Sequence, residues 1–353
     1  MSYEDGWAAV NLHMPKRVPR FEPSVAKSHW PLLQAVTGLD VHAASAPEAK
    51  LAATRAFVRA WNYDIFPTSL IGANEYGQTR TRMGHARYAA DGSDFDDIVE
   101  CPFRTPEDVL AFDPWETYGR KDRAELVRRF DEHYRRQCAW FPELVNTTGI
   151  YVTLMSGMIL IFGWDMLLAA AGTDPNGFGQ VVNRYASWVQ QYYDAAAESE
   201  AAVIYSHDDL VWSEGPFIHP DWYRRYIFPN LKKLWAPLRQ AGKKVLFVCD
   251  GNYTSFADDV AACGNAGFWM ETFTDLRYVT ETYGRTHFII GNVDTRILTF
   301  GSKADIRAEV GRCMEIGKKC PGYFLCASGH IPPNVPVENA LYYNEVYKEL
   351  SPR

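Results

Sequence analysis

The chain has 353 residues, of which 47% are hydrophobic and 22% are charged, enough to bury one large α/β barrel or two smaller domains. Its formal net charge of -7 excludes the long-range attraction to nucleic acid or to an anionic membrane that clustered cations provide. The seven cysteines are scattered and contain no Cys-x-x-Cys pair, which argues against a disulfide framework.

The first 140 residues predict helices separated by short strands and turns. Ser45 and Glu48 have the spacing of a capping box, so we expect a helix that ends near Ala60. Similar reasoning predicts further elements in chain order: a strand at Tyr63 to Phe66, a hairpin turn at Asp91-Gly92, a helix that begins at Thr105 and a long helix from Lys121 to Ala139.

From Ile150 onward, apolar runs alternate with helical patterns, as in βα units around a parallel sheet. The predicted strands are Ile150 to Met155, Val203 to Leu210, Val245 to Asn252, Gly267 to Thr272, Phe288 to Arg296 and Tyr323 to His330. Helices are expected from Asp221, from Phe256, from Ala304 and from Val337, with Pro229 and Pro237 kinking or splitting the first of them. No low-complexity linker interrupts the pattern, which favours a single domain.

No secretory signal or membrane span is predicted. Met1 to Pro19 lacks a basic segment followed by an apolar one. The most apolar stretch, Ile150 to Ala171, is interrupted by Gly157, Gly163 and Asp165, whereas a span requires about 20 predominantly apolar residues. We therefore expect a cytoplasmic protein that acts on a small molecule.

Polar side chains follow the predicted strands, and the carboxyl ends of parallel strands meet on one face. His207, Asp208 and Asp209 end one strand and Asp250 ends the next, which makes the three aspartates candidate catalytic groups. In the alternative interpretation these residues are helix caps and hydrogen-bonded core. Candidate substrate-binding residues complete the rim: Asn252, Asn292, Asp294 and Arg296.

A metal site is a second possibility at the same strand ends. Imidazole, thiolate and carboxylate are the ligands that zinc prefers, and five such side chains lie there: His207, Cys249, Glu271, Cys326 and His330. The cysteines could equally be small buried hydrophobic residues.

Arginines are clustered in one short stretch, Thr79 to Arg87. Arg80, Arg82 and Arg87 could clamp a carboxylate or phosphate of a ligand. The alternative is the solvated face of a hairpin.

The segment DDLVWSEGPFIHPDWYRRYIFP, from Asp208 to Pro229, resembles the uroporphyrinogen decarboxylase superfamily, as does GHIPPNVPVEN from Gly329 to Asn339. The resemblance implies a single (β/α)8 barrel with an N-terminal extension. Residues 1–145 would then form the lead-in and first elements, and residues 146–353 the main barrel. True decarboxylases of this superfamily carry a Met-Arg-Gln-Ala-Gly-Arg segment that holds the substrate's carboxylates, and Met1 to Asp40 lacks it.

The resemblance is closer to the methyltransferase branch, whose zinc is held by a His-x-Cys, often a Glu, and a late Cys. Cys249, Glu271 and Cys326 lie near these positions, but Phe247 stands where the His is expected. Alignment on Gly251 instead places Asp250 at the cysteine, and alignment on Ile331 places Gly329 at the late ligand.

These patterns lead to three hypotheses. In the first, the enzyme moves a methyl group between a small molecule and a thiol or corrinoid acceptor, with zinc possible and a small corrinoid protein as a possible partner. In the second, a metal-free decarboxylase or lyase uses Asp208 on a carboxylic acid that Arg80 or Arg82 holds. In the third, the barrel only binds a metabolite or a corrinoid protein.

Overall fold

The computed structural model describes residues 3–23, 25, 29–81 and 100–353, and its architecture is an α/β barrel with a parallel sheet at its centre. The strands are β1 (Ile65–Phe66), β2 (Val145–Asn146), β3 (Thr148–Ile150), β4 (Val203–His207), β5 (Val211–Trp212), β6 (Gly215–Pro216), β7 (Lys244–Cys249), β8 (Gly267–Met270), β9 (Phe288–Ile290) and β10 (Tyr323–Phe324). Strands β5 and β6 form a separate antiparallel hairpin.

Eight chain segments pair in a closed ring. Six of them form one parallel sheet in the order β10, β9, β8, β7, β4, β3. Strand β1 pairs with β2, and Ile71 pairs with Ile150, which adds the seventh segment beside β2 and β3. Residues 18–21 supply the eighth: Leu325 N donates to Pro19 O at 2.9 Å, and Asp64 N donates to Arg20 O at 2.9 Å. The predicted (β/α)8 barrel is therefore confirmed.

The helices cover the outside of the ring. Those of the first half are α1 (Tyr3–Val10), α2 (Trp30–Thr37), α3 (Pro47–Ala60), α4 (Pro106–Leu110), α5 (Pro114–Tyr118), α6 (Arg123–Trp140), α7 (Met155–Thr173) and α8 (Pro175–Glu198). Those of the second half are α9 (Pro220–Tyr226), α10 (Phe228–Gln240), α11 (Ala257–Cys263), α12 (Leu276–Tyr283), α13 (Thr295–Phe300), α14 (Lys303–Gly317) and α15 (Val337–Leu350). Two 3-10 turns, Ala73–Tyr76 and Thr254–Phe256, complete the described elements.

Several helix boundaries follow from side-chain caps. Thr105 and Asp108 form a capping box at the start of α4, as expected. The capping box predicted at Ser45 is wrong: helix α3 begins at Pro47 with Ala46 as its N-cap, and the Ser45 hydroxyl accepts from His42 N instead. The predicted split near Pro229 is confirmed, because α9 ends at Tyr226 and α10 begins at Phe228.

Helix α7 is apolar and long enough to cross a membrane by length and composition, but 67% of its most apolar window is buried in the protein. It packs against helices α4 and α8 and the 3-10 turn at Ala73–Tyr76. Gly163, with φ of 72°, interrupts its helical conformation, a left-handed backbone that glycine adopts without a steric penalty. Helix α7 is thus a kinked core helix.

Charged side chains are buried where the ring closes, and we call Arg17, Arg20, Glu22 and Asp64 the closing seam. Arg20 Nη2 contacts Glu22 Oε1 at 2.6 Å, and Arg17 Nη2 contacts Asp64 Oδ1 at 2.5 Å. The Arg20 guanidinium also stacks 4.7 Å from the ring centroid of Trp61 and 4.3 Å from that of Tyr347. The closing seam has two positive and two negative groups in direct contact.

Candidate active site at the carboxyl ends of the strands

Three adjacent strands deliver ionisable side chains to one end of the barrel. The parallel register aligns His207 of β4 with Val248 of β7, and Cys249 of β7 with Met270 of β8. The residues that follow each strand therefore emerge side by side. We call His207, Asp208, Asp209, Asp250 and Glu271 the mouth cluster.

His207 and Asp209 form a buried ion pair, with Nε2 of the histidine 3.1 Å from Oδ1 of the aspartate. Tyr151 O lies 3.0 Å from His207 Nδ1 and can only accept, so the Nδ1 proton points to Tyr151. Burial alone would lower the pKa of His207, but the negative charge of Asp209 outweighs it and raises the pKa to about 9. Conversely, although burial opposes ionisation of Asp209, His207 holds the pKa of that carboxyl below its ordinary value.

Ser156, in the first turn of α7, connects this pair to the helix. Its hydroxyl lies 3.2 Å from His207 Nδ1 and 3.3 Å from Asp209 Oδ2, and it accepts from Asp209 N at 2.8 Å. No local pattern marks this serine, because it lies 51 residues before His207 and precedes no recognisable motif.

Asp208 lies behind the pair, at the N-terminus of helix α7. Its Oδ1 accepts from Leu154 N at 3.1 Å and from Ser156 N at 2.9 Å, so it caps the helix from a neighbouring strand. Among the described residues Oδ2 has no hydrogen-bond partner. Burial raises the pKa of Asp208 to about 7, although the hydrogen bonds from the two backbone N–H groups act to lower it. This predicted catalytic aspartate is thus a buried helix cap that can titrate near neutral pH.

Asp250 and Glu271 bring two further carboxyl groups beside Asp209. Asp250 N donates to Asp209 Oδ1 at 3.3 Å, and Glu271 Oε2 accepts from Gly251 N at 2.9 Å. Enclosure in the mouth raises the pKa of Asp250, and repulsion by Glu271 and Asp209 adds to this effect. Burial likewise raises the pKa of Glu271, although the hydrogen bond from the Gly251 N–H acts to lower it. The Asp250 side chain remains open to water.

A cavity of about 390 Å³ opens above these groups. Three carboxylates line it, and we call Asp209, Asp250 and Glu271 the acidic floor. Three aromatic side chains line it as well, and we call Trp164, Trp212 and Phe273 the aromatic rim. None of the described residues that line this cavity is a lysine, arginine or histidine.

The backbone holds the aromatic rim in place. Trp164 follows the kink at Gly163. Trp212 lies in the β5–β6 hairpin, and the carbonyl O of Trp212 accepts from Asn252 N at 2.9 Å. Gly251 (φ 75°) permits this approach, since an added Cβ would lie 2.6 Å from Trp212 O. Sequence reasoning missed all three rim residues, because the many aromatic residues of the chain are spread evenly and no pattern separates rim from core.

The metal ligands that converge differ from the predicted set. Within the part of the chain that the structure describes, His207, Asp209 and Asp250 each place a donor atom within 4.8 Å of the others. Donors around a tetrahedral zinc lie roughly 3.3 Å apart for bonds of about 2.0 Å, and the 3.1 Å between His207 and Asp209 is close to that value. His207 and Asp209 therefore have the spacing of two metal ligands, and Asp250 lies within 4.8 Å of both as a candidate third.

The remaining predicted ligands lie outside that group. The Cys249 and Cys326 thiols are buried and donate to Asp250 O and Ala327 O, and burial raises the pKa of both thiols. Glu271 belongs to the acidic floor. His330 is half-buried, and its carbonyl O accepts from the Thr295 hydroxyl at 3.0 Å.

The predicted substrate-binding residues have partners within the protein. Asn292 is buried and donates to Glu271 O and Thr274 O. The side-chain oxygen of Asn252 accepts from the backbone N–H of Thr254 and from the hydroxyl of Thr254. Asp294 caps α13 and pairs with the exposed Arg296 at 2.7 Å. None of these four lines the cavity.

The arginine cluster is described only in part. Arg80 is half-buried and donates to Thr81 O at 2.9 Å. Arg82, Arg87 and the Asp91-Gly92 turn lie outside the described residues.

Comparison with known proteins identifies the family. Residues 99–350 match the family model of uroporphyrinogen decarboxylase. The uroporphyrinogen decarboxylase of Carboxydothermus hydrogenoformans is 27% identical over 257 residues, which are 72% of this chain and 71% of that relative. The enzyme of the same name from Geobacter sulfurreducens is 24% identical over 220 residues, 62% of this chain and 63% of that relative.

A solved structure supports the architecture. A methyltransferase from Methanosarcina mazei superposes with a TM-score of 0.65 at 17% identity and covers 99% of both chains. At this identity the likeness is one of fold. The family model, in contrast, spans most of the chain, and this protein therefore belongs to the uroporphyrinogen decarboxylase family of enzymes.

Proposed function

We propose that this protein is a cytoplasmic methyltransferase that moves a methyl group between a small molecule and a thiol or corrinoid acceptor. The observation that carries the proposal is the acidic floor, three carboxylates lining a cavity whose described lining holds no cationic side chain. The likeness in fold to a methyltransferase supports it.

The acidic floor disfavours a substrate that carries several carboxylates. Two like charges about 4 Å apart repel by about 4 kcal/mol at the effective dielectric constant of a protein surface. A negatively charged ligand would meet the ionised Asp209 and, beside it, the carboxyl groups of Asp250 and Glu271. The electrostatics of the described mouth thus suit a neutral or cationic methyl donor.

The chain's own residues have distinct roles in this scheme. The acceptor's lone pair forms the new bond to the methyl carbon, and the electrons of the broken bond remain on the donor heteroatom. A protonated Asp250 carboxyl, whose pKa is raised, can give a proton to a departing oxygen or nitrogen. Asp209 is held ionised by His207 and stabilises positive charge at the reacting centre.

A metal ion would fit the same mouth. His207, Asp209 and Asp250 would hold it, and Tyr151 O would fix the histidine ring through Nδ1. Such an ion would supply Lewis acidity toward a thiol, hydroxyl or ether oxygen.

The test measures methyl transfer to a thiol and, separately, to reduced cobalamin, whose methylation changes its visible absorbance. Asp209→Asn should lower the rate at least about 100-fold, since it removes the charge at the centre of the mouth. Asp221→Asn, at an exposed residue of α9, should leave the rate unchanged. Absence of transfer from any methylated donor to either acceptor, with a folded protein, would refute the proposal.

Decarboxylation is a second candidate, because the curated relatives are named uroporphyrinogen decarboxylases. In that reaction Asp208, buried behind the His207–Asp209 pair with a pKa raised by burial to about 7, would act on the substrate through that pair, since Asp209 lines the cavity and Asp208 does not. Release of CO₂ from a carboxylic acid without metal, abolished in Asp208→Asn, would favour this function over methyl transfer.

A further inference from the structure

The aromatic rim surrounds the acidic floor in a way that neither acid–base chemistry nor metal binding requires. Trp212 is 47% exposed and Phe273 is 36% exposed, although both are large apolar side chains. The Trp212 ring lies 5.6 Å from Trp164 and 5.4 Å from Phe217, between centroids. Trp212 thus packs against Trp164 and Phe217, and both Trp212 and Phe273 leave part of their apolar surface open at the entrance.

Within the described residues, the acidic floor sets three carboxyl groups against one cationic partner, His207. Asp209 is paired with His207, and the carboxyl of Glu271 is held by a backbone N–H rather than by a cation. Asp250 faces both. Arg296 lies beyond the rim, where its guanidinium is 5.1 Å from the Phe273 centroid and is paired with Asp294. Arg296 does not line the cavity, so it places no cation at the floor.

Aromatic faces and carboxylates together recognise one class of ligand. A quaternary ammonium or sulfonium group has no N–H to donate, so its charge is held by ring faces and by nearby anions rather than by hydrogen bonds. A primary ammonium or a hydrated metal ion would be satisfied by the floor and would leave the rim unused. The cavity of about 390 Å³ is at the lower end of the range for ligand pockets, which suits a small ligand.

We propose that the mouth binds a methylated onium cation, with its charged head between the aromatic rim and the acidic floor. This inference rests on the proposed function, for which such a cation is a methyl donor that departs as a neutral amine or thioether. The donor then leaves without a proton.

Calorimetric titration of the protein with choline tests the inference. The matched neutral ligand is 3,3-dimethylbutan-1-ol, which has the shape of choline with carbon in place of the charged nitrogen. A chelator is present, so that metal held by His207, Asp209 and Asp250 does not compete. Choline should bind at least about 10-fold more tightly than the alcohol.

Two variants locate the binding. Trp212→Leu should weaken choline binding about 3- to 30-fold, and the partly exposed Trp212 can be replaced with little effect on folding. Glu271→Gln should weaken choline and leave the alcohol unaffected. Phe300→Leu is the matched control, since Phe300 is 81% exposed and outside the cavity.

The outcomes separate this inference from the proposed function. Equal affinity for choline and the alcohol, or equal losses in Trp212→Leu and Phe300→Leu, would overturn the onium site even if methyl transfer from another donor is observed. Tight, rim-dependent choline binding without methyl transfer to any acceptor would support the site and refute the methyltransferase.

Discussion

The closing seam and the mouth cluster, both within the described residues, group ionisable side chains in opposite ways. In the closing seam, Arg17 and Arg20 face Asp64 and Glu22 directly. In the mouth cluster, four carboxyl groups share one imidazole. Matched buried charges specify a unique pairing and resist change. An unbalanced group of carboxyls has raised pKa values and attracts protons or cations, as expected of a functional site.

The largest effect is expected from breaking the balance of the closing seam. Arg20→Met should destabilise the protein by about 3–5 kcal/mol, because Glu22 would remain buried without a cation. Urea unfolding provides the measurement. Arg296→Met, which removes an arginine from an exposed pair, should change the free energy of unfolding by no more than about 0.5 kcal/mol. A loss below 1 kcal/mol in Arg20→Met would mean that the seam is not a determinant of stability.

The pH dependence of stability is expected to report on the mouth cluster. His207 has a folded pKa of about 9 against an ordinary 6.5, so the folded state binds more protons between these values. The stability contributed by the His207–Asp209 pair is therefore fully present below pH 6.5 and is lost as pH rises through 9. The loss should reach at most about 3 kcal/mol, at 1.36 kcal/mol for each pKa unit.

Urea unfolding between pH 7.5 and 9.5, with a chelator, measures this loss. Asp209→Asn should flatten the profile, since it removes the partner of the imidazolium. His133 provides a contrast: burial without a carboxylate lowers its pKa to about 4, so its contribution is lost at acidic pH instead. Identical slopes in the wild type and Asp209→Asn would contradict the assignment.

The smallest effect is expected from relieving repulsion in the acidic floor. Glu271→Gln keeps an oxygen to accept from Gly251 N and removes one negative charge, so it should stabilise the fold by about 0.5–1 kcal/mol. Thermal unfolding near neutral pH is the readout, with Asp221→Asn as the control for loss of an exposed carboxylate. A clear loss of stability would contradict this, because it would mean that the charge of Glu271 is stabilised by a contact within the protein, as the charges of the closing seam are.

The barrel could be predicted from its later strands, and its closure could not. The strands from Val203 onward are apolar runs followed by polar residues, a local signal that the sequence pattern captures. Residues 18–21 lie among Pro15, Pro19 and Pro23, and closely spaced prolines favour irregular backbone over a strand. These residues became a barrel strand through pairing with Leu325 and Asp64, contacts that no local pattern encodes.

The candidate site was predictable to a similar extent. The carboxylates of the acidic floor could be predicted, because they follow parallel strands whose carboxyl ends meet on one face. The aromatic rim depends on a kink at Gly163 and on a hairpin at Trp212, and both require knowledge of tertiary structure. Cys249 and Cys326 are of the residue type that binds zinc, which is why the sequence predicted them as ligands. Their side chains are buried, and they do not belong to the group of His207, Asp209 and Asp250.

The closing seam also sets the order of events during synthesis. Glu22 accepts from Ala327 N, a residue that follows it by 305 positions. At about 5–20 residues per second, the ribosome needs roughly 15–60 s to make that partner available. Until then the ring cannot close and Glu22 lacks this partner, so the closing seam is completed only after the last strand has been made.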